Sequence, residues 1–93
     1  MEKVLVRLRI LPTDAEISPA KVSESIQKSL PSDIGIRRVV EEPIAFGLVA
    51  SIIDFIIEDR EGEMDRLEES IRSSEFVSEV EVIGLSKFST SLK

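Results

Sequence analysis

Apolar and polar positions along this chain follow two periods. From Lys3 to Leu11, Val4, Val6, Leu8 and Ile10 face one way and Leu5, Arg7 and Arg9 the other, which predicts a half-buried strand with a basic outer face. Pro12-Thr13-Asp14 ends it. Ser18-Pro19 supplies a hydroxyl cap and a proline suited to the first helical position, and Val22, Ile26 and Leu30 then fall four apart, predicting a helix over Pro19–Leu30. Pro31-Ser32-Asp33 closes the helix. Ile34 to Glu42 is rich in β-branched residues and predicts a second strand. Gly47 to Glu58 predicts a third, the most hydrophobic, with Val49, Ile53, Phe55 and Ile57 on one side, as expected of a central strand with both faces largely covered or a partner lying nearby. A second helix is expected from Glu63 to about Ser73, with Met64, Leu67 and Ile71 as its apolar stripe and acids in its first turn. Val77 to Lys87 reads as the last strand, and Phe88 to Lys93 as a short tail, mobile unless bound.

The order β-α-β-β-α-β, with right-handed crossovers, closes into one four-stranded antiparallel sheet carrying both helices on one face. That is a ferredoxin-like α+β sandwich, a single domain over 1–93. The other sheet face would then be open, basic through Arg7 and Arg9, opposite an acidic helix layer.

One connection departs from the rule that turn tips are polar. Between the second and third strands, Pro43 and Gly47 bracket Ile44, Ala45 and Phe46. Either these side chains plug the end of the core or they await a partner. Both plugging it from one tight turn is the harder arrangement, because neighbouring side chains diverge, and an exposed aromatic is a common anchor in protein interfaces.

Composition narrows the chemistry. With 93 residues there is room for one core. Hydrophobic residues at 42% and charged residues at 32% suit a folded soluble domain. No apolar run approaches a membrane span, and Met1-Glu2-Lys3 leads straight into strand alternation, so neither a membrane anchor nor a signal peptide is expected and the cytoplasm is the expected location. The absence of Cys and His removes thiol nucleophiles, disulfides, the commonest general base and the commonest zinc ligands. A net charge of −6 disfavours a nucleic-acid partner, and base stacking would need aromatics that the first strand lacks. The glycines, at 35, 47, 62 and 84, form no phosphate-cradling loop. No cofactor is expected. Asp54, among apolar neighbours, reads either as a buried carboxylate of raised pKa or, by strand alternation, as an outward residue on the open face. The acid-dense Glu58–Asp65 stretch reads as a solvated turn and helix start, with a weak divalent-ion site as the other option.

The stretch Glu41-Glu42-Pro43-Ile44-Ala45-Phe46-Gly47-Leu48-Val49-Ala50, set between two strand-helix-strand halves, resembles the archaeal elongation factor 1-beta family. It is similar, more distantly, to the exchange domain of the eukaryotic factor, where a Pro-x-x-Phe-Gly turn precedes the third strand. The resemblance covers essentially the whole chain. It implies a guanine-nucleotide exchange factor for the GTPase elongation factor 1-alpha, acting through protein binding, without covalent catalysis; the free protein is expected to be a monomer. It implies docking through Pro43, Ile44, Ala45, Phe46 and Gly47, and a second contact near the end of the last strand, around Lys87, Phe88 and Lys93. The eukaryotic domain inserts a Lys near its C-terminus toward the magnesium site; here Thr90 falls at the matching position, with Lys87 and Lys93 nearby. The alternative is a small-molecule-sensing or protein-interaction domain, which the same fold supports.

Overall fold

Val6, Leu8 and Ile10 on one strand and Ile53 and Phe55 on its neighbour are fully shielded from solvent, and this apolar seam organises the molecule. The computed structural model describes residues 2–89. Its strands are β1 (Glu2–Pro12), β2 (Gly35–Pro43), β3 (Val49–Glu58) and β4 (Val77–Ser89); its helices are α1 (Pro19–Ser29) and α2 (Glu63–Arg72). The sheet is antiparallel in the order β2-β3-β1-β4. The expected ferredoxin-like topology is present, with β3 and β1 inside and β2 and β4 as edges. Of the tail expected over Phe88–Lys93, residues 90–93, with Thr90 and Lys93 among them, fall outside the described residues. Phe88 and Ser89 belong to β4 rather than to a tail, because their backbones extend the β1 ladder opposite Lys3 and Glu2.

Register explains the core. Val4 lies opposite Ile57, Val6 opposite Phe55 and Leu8 opposite Ile53, so both inner strands present their apolar residues to the same face. Val22 and Ile26 of α1 and Leu67 and Ile71 of α2 bury against that face. Helix α1 starts where expected: the Ser18 hydroxyl accepts from the Lys21 N–H at 3.2 Å, with Pro19 in the first turn. Helix α2 starts from Gly62, whose φ of 89° favours glycine, and its first-turn acid Glu63 is buried between the guanidinium groups of Arg60 and Arg66.

The open face differs from expectation. Arg7 and Arg9 do point away from the helices, but the face is not simply basic, because carboxylates occupy facing register positions. Asp54, opposite Arg7, accepts from the Arg7 Nε and Nη2 at 2.7 and 3.1 Å. Arg9 meets Glu42 at 2.9 Å and Glu81, directly opposite, at 3.5 Å. Asp54 is on the open face, as alternation required, yet only 4% exposed. Arg7 lies over it and holds its carboxyl below the usual carboxylate range by hydrogen bonding, against the opposing effect of burial; Arg38 and Arg37 add to the lowering. It is therefore an ionised structural group and not a raised-pKa acid.

Asp33, beside Arg66, and Glu58, beside Lys3, are lowered as well. Groups whose folded pKa lies below the unfolded one bind fewer protons folded than unfolded. Their stabilisation is complete above the ordinary carboxylate range, about pH 4 to 5, and is lost as pH falls through and below it. Denaturant melts at successive pH values should show stability falling on the acid side of about pH 5, with a shallower slope in Asp54→Asn.

Candidate functional site: an exposed aromatic turn and the far end of the sheet

The β2–β3 connection is built from short-range constraints. Pro43 pairs with Val49 and ends the ladder, lacking an N–H to carry it further. The Ile44 N–H donates to the Leu48 carbonyl at 2.8 Å, and the Leu48 N–H donates to the Ala45 carbonyl at 3.2 Å. Between them Ala45–Gly47 forms a single 3-10 turn. Inside it Phe46 has φ 63° and ψ 30°, and Gly47 has φ 78°. Glycine adopts this left-handed region freely; phenylalanine does so at a cost of about 1–2 kcal/mol. A Cβ at Gly47 would lie 3.6 Å from the Ala15 Cβ, an ordinary contact, so it is the dihedral rather than lack of space that favours glycine there.

The left-handed kink sends neighbouring side chains apart. Ile44 and Leu48 are half-buried, while Phe46 is 94% exposed. Pro43, Ala45 and Gly47 are exposed around it. The strain and the exposure coincide at one residue, and neither serves the core of this molecule.

The residues expected near the end of the last strand lie elsewhere. Lys87 is opposite Val4, which is opposite Ile57 on β3, whereas the aromatic turn adjoins Val49. The span of β3 from Val49 to Ile57 is about 26 Å at about 3.3 Å per residue. The structure therefore does not bring Phe46 and Lys87 together; they occupy opposite ends of the sheet. Lys87 is largely exposed, with its Nζ 3.1 Å from Asp59. Phe88 follows at the register position opposite Lys3.

Beside Lys87 lies a surface hollow of about 170 Å³ lined by Val4, Ile57, Met64, Leu85 and the polar stretch Glu58–Arg60. Leu85, 64% exposed, was not singled out by the sequence pattern. Its signal is a broken parity. Val82 pairs with Leu8 and Gly84 with Arg7, so Ile83 is an extra residue in β4, and the bulge turns Leu85 to the same face as Val82. An odd and an even apolar residue on one face, with a glycine between them, is the trace a bulge leaves in sequence.

The acid-dense stretch is occupied by cations. Glu58 pairs with Lys3 and Asp59 with Lys87, and Glu63 pairs with Arg60 and Arg66. Among the described residues no group of three acids converges as a metal site. Phe55 is fully buried and offers no base-stacking surface. No described helix is long and apolar enough to cross a membrane.

Comparison with known proteins matches this arrangement to one family. Residues 5–88 match the family described as the EF-1 guanine nucleotide exchange domain. Proteins named elongation factor 1-beta align along nearly their full length. That of Thermofilum pendens is 40% identical over 96% of this chain and 99% of its own, and that of Hyperthermus butylicus 41% identical over 96% and 98%. The Staphylothermus marinus protein is 43% identical over 88% of this chain and 92% of its own. Among solved structures, the ACT domain from GTP pyrophosphokinase of Chlorobium tepidum superposes with a TM-score of 0.60 over 87% of this chain and 99% of its own, at 20% identity, a likeness of fold alone. Matched over most of its length, the chain belongs to the elongation factor 1-beta family of guanine-nucleotide exchange domains.

Proposed function

We propose that this protein promotes release of GDP from the GTPase elongation factor 1-alpha, and its reloading with GTP, by protein binding alone. The observation that carries this reading is Phe46, held almost wholly in solvent by a strained turn within the stretch that carries the family resemblance. A side chain kept exposed at an energetic cost to its own molecule has its use in a partner.

Exchange needs no covalent step. A protein that binds the nucleotide-free GTPase more tightly than the loaded one lowers the barrier to nucleotide loss, and by linkage the nucleotide weakens the protein's grip by the same factor. Phe46 and Lys87 stand at opposite ends of the sheet, with β3 spanning about 26 Å between the register positions nearest them, and this divides the labour. Both cannot act on a single magnesium ion. Phe46, with Pro43, Ile44, Ala45 and Gly47, anchors one end of the domain. Lys87 and Phe88, followed in the chain by Lys93, engage a separate region at the other end, where an ammonium group competes with magnesium for phosphate charge.

Release of fluorescent GDP from elongation factor 1-alpha, measured against exchange-factor concentration, tests both ends. Phe46→Ala should raise the concentration for half-maximal stimulation, and Lys87→Ala should lower the maximal rate by about 3- to 10-fold, the worth of a charge-assisted contact of about 1 kcal/mol. Lys93→Ala, assayed alongside, tells which lysine carries the charge. Release at full wild-type speed when Phe46 and both lysines are replaced overturns this assignment.

A further inference from the structure

Strand β2 is an open edge of the sheet, exposed from Arg37 to Pro43, and its side chains are arranged with a sign symmetry that the exchange reading does not use. Arg37 and Arg38 precede Val39 and Val40, and Glu41 and Glu42 follow them. Reading the strand backwards exchanges positive for negative.

We infer that β2 pairs antiparallel with β2 of a second copy of this chain about a two-fold axis at Val40, joining two four-stranded sheets into one of eight. Three observations select this partner and register. The first is confinement: a ladder irregularity between Ile36 and Arg38 distorts one end of the edge, and Pro43 lacks an N–H at the other, leaving Arg38–Glu42 as the regular window with Val40 at its centre. The second is facing. Opposite Asp54 and Ile52, Arg38 and Val40 lie on the open face, and Glu42, opposite Ala50, lies there with them. An axis at Val40 places Arg38 opposite Glu42 of the partner copy and Val40 opposite its counterpart, all on one face. The third is charge. Slipping the register by two residues one way sets Arg38 opposite Val40 and relies on Arg37, at the ladder irregularity, to face Glu41; slipping it the other way sets Glu41 opposite its own counterpart, so within the regular window only the centred register makes two arginine–glutamate pairs.

Val39 and Val40, 42% and 38% exposed, are covered in that arrangement. A contact this narrow falls at or below the lower end of stable interfaces, about 1,200 Å², so the association is weak and appears at high micromolar concentration. The inference is independent of the exchange activity, since neither Phe46 nor Lys87 takes part.

Sedimentation equilibrium from about 10 μM to 1 mM, at low salt, is the first test; the concentration range brackets an affinity of about 100 μM. The wild type should show a monomer–dimer equilibrium. Arg38→Glu and Glu42→Arg should each be monomeric alone, because each sets like charges opposite one another, yet mixed in equal amounts they should associate, because the mixed pair is again complementary. The chain has no cysteine, so Val40→Cys gives a single thiol at the axis. Facing residues in an antiparallel ladder have Cα atoms about 4.5–5.5 Å apart, within disulfide range. Mild oxidation should cross-link this variant at least tenfold faster than Gln27→Cys, an exposed control on α1. A wild type that stays monomeric to 1 mM, association undiminished by Arg38→Glu, or equal cross-linking of the two thiol variants overturns the proposal.

Discussion

Replacing Phe46 by alanine should weaken functional docking on elongation factor 1-alpha by about 30-fold or more while leaving the fold's stability unchanged or slightly raised. The magnitude is that of an interface anchor, about 2 kcal/mol or more, converted at about 1.4 kcal/mol per factor of ten. Stability is spared because a side chain 94% exposed contributes little burial to its own molecule. Phe46→Gly sharpens the distinction. Glycine adopts a φ of 63° without the Cβ penalty, so thermal or denaturant unfolding should show a gain of up to about 1 kcal/mol, although GDP-release stimulation falls as far as in the alanine variant. Loss of exchange with a gain in stability is the signature of a residue strained for a partner. A Phe46→Gly protein that unfolds more readily than wild type would instead mean the ring supports the turn.

Asp54→Ala should cost about 3 kcal/mol of folding stability, a large share of the roughly 5–15 kcal/mol available to a domain of this size. The carboxylate is 4% exposed at the centre of the open face, and its charge is felt by Arg7, Arg38 and Arg37. Removing it leaves clustered guanidinium groups above an apolar floor that includes Ile52 and Ile83. The figure sits at the low end for a broken buried pair because the Arg7 side chain is 44% exposed and water can resolvate it. The paired replacement Arg7→Leu with Asp54→Leu should recover much of the loss, since two apolar side chains can fill the space without leaving a charge uncompensated. A double-mutant cycle in urea measures the coupling. Additive effects would show that Asp54 acts through packing and not through Arg7.

Much of the architecture was legible in the chain. The parity of Val4, Val6, Leu8 and Ile10 against Arg7 and Arg9 is a property of adjacent residues, and so it survives folding unchanged. The same holds for Ser18-Pro19 as a helix start and for an apolar turn between Pro43 and Gly47. Phe88 and Ser89 were misplaced because the end of a strand depends on its neighbour: β4 continues for as long as β1 supplies a partner. Leu85 escaped notice for a related reason, since the bulge that redirects it is defined only by the register with β1.

Local sequence thus determined the order of elements, the inward-facing residues and the identity of the unusual turn, because each is set by contacts within a few positions along the chain. Tertiary structure alone decided two further matters. It turned an apparently basic face into a set of arginine–carboxylate pairs and set Phe46 and Lys87 at opposite ends of the sheet. Each of these depends on which residues of distant segments come to lie opposite one another. Pairing register, which carries no signature within any one segment, fixes that.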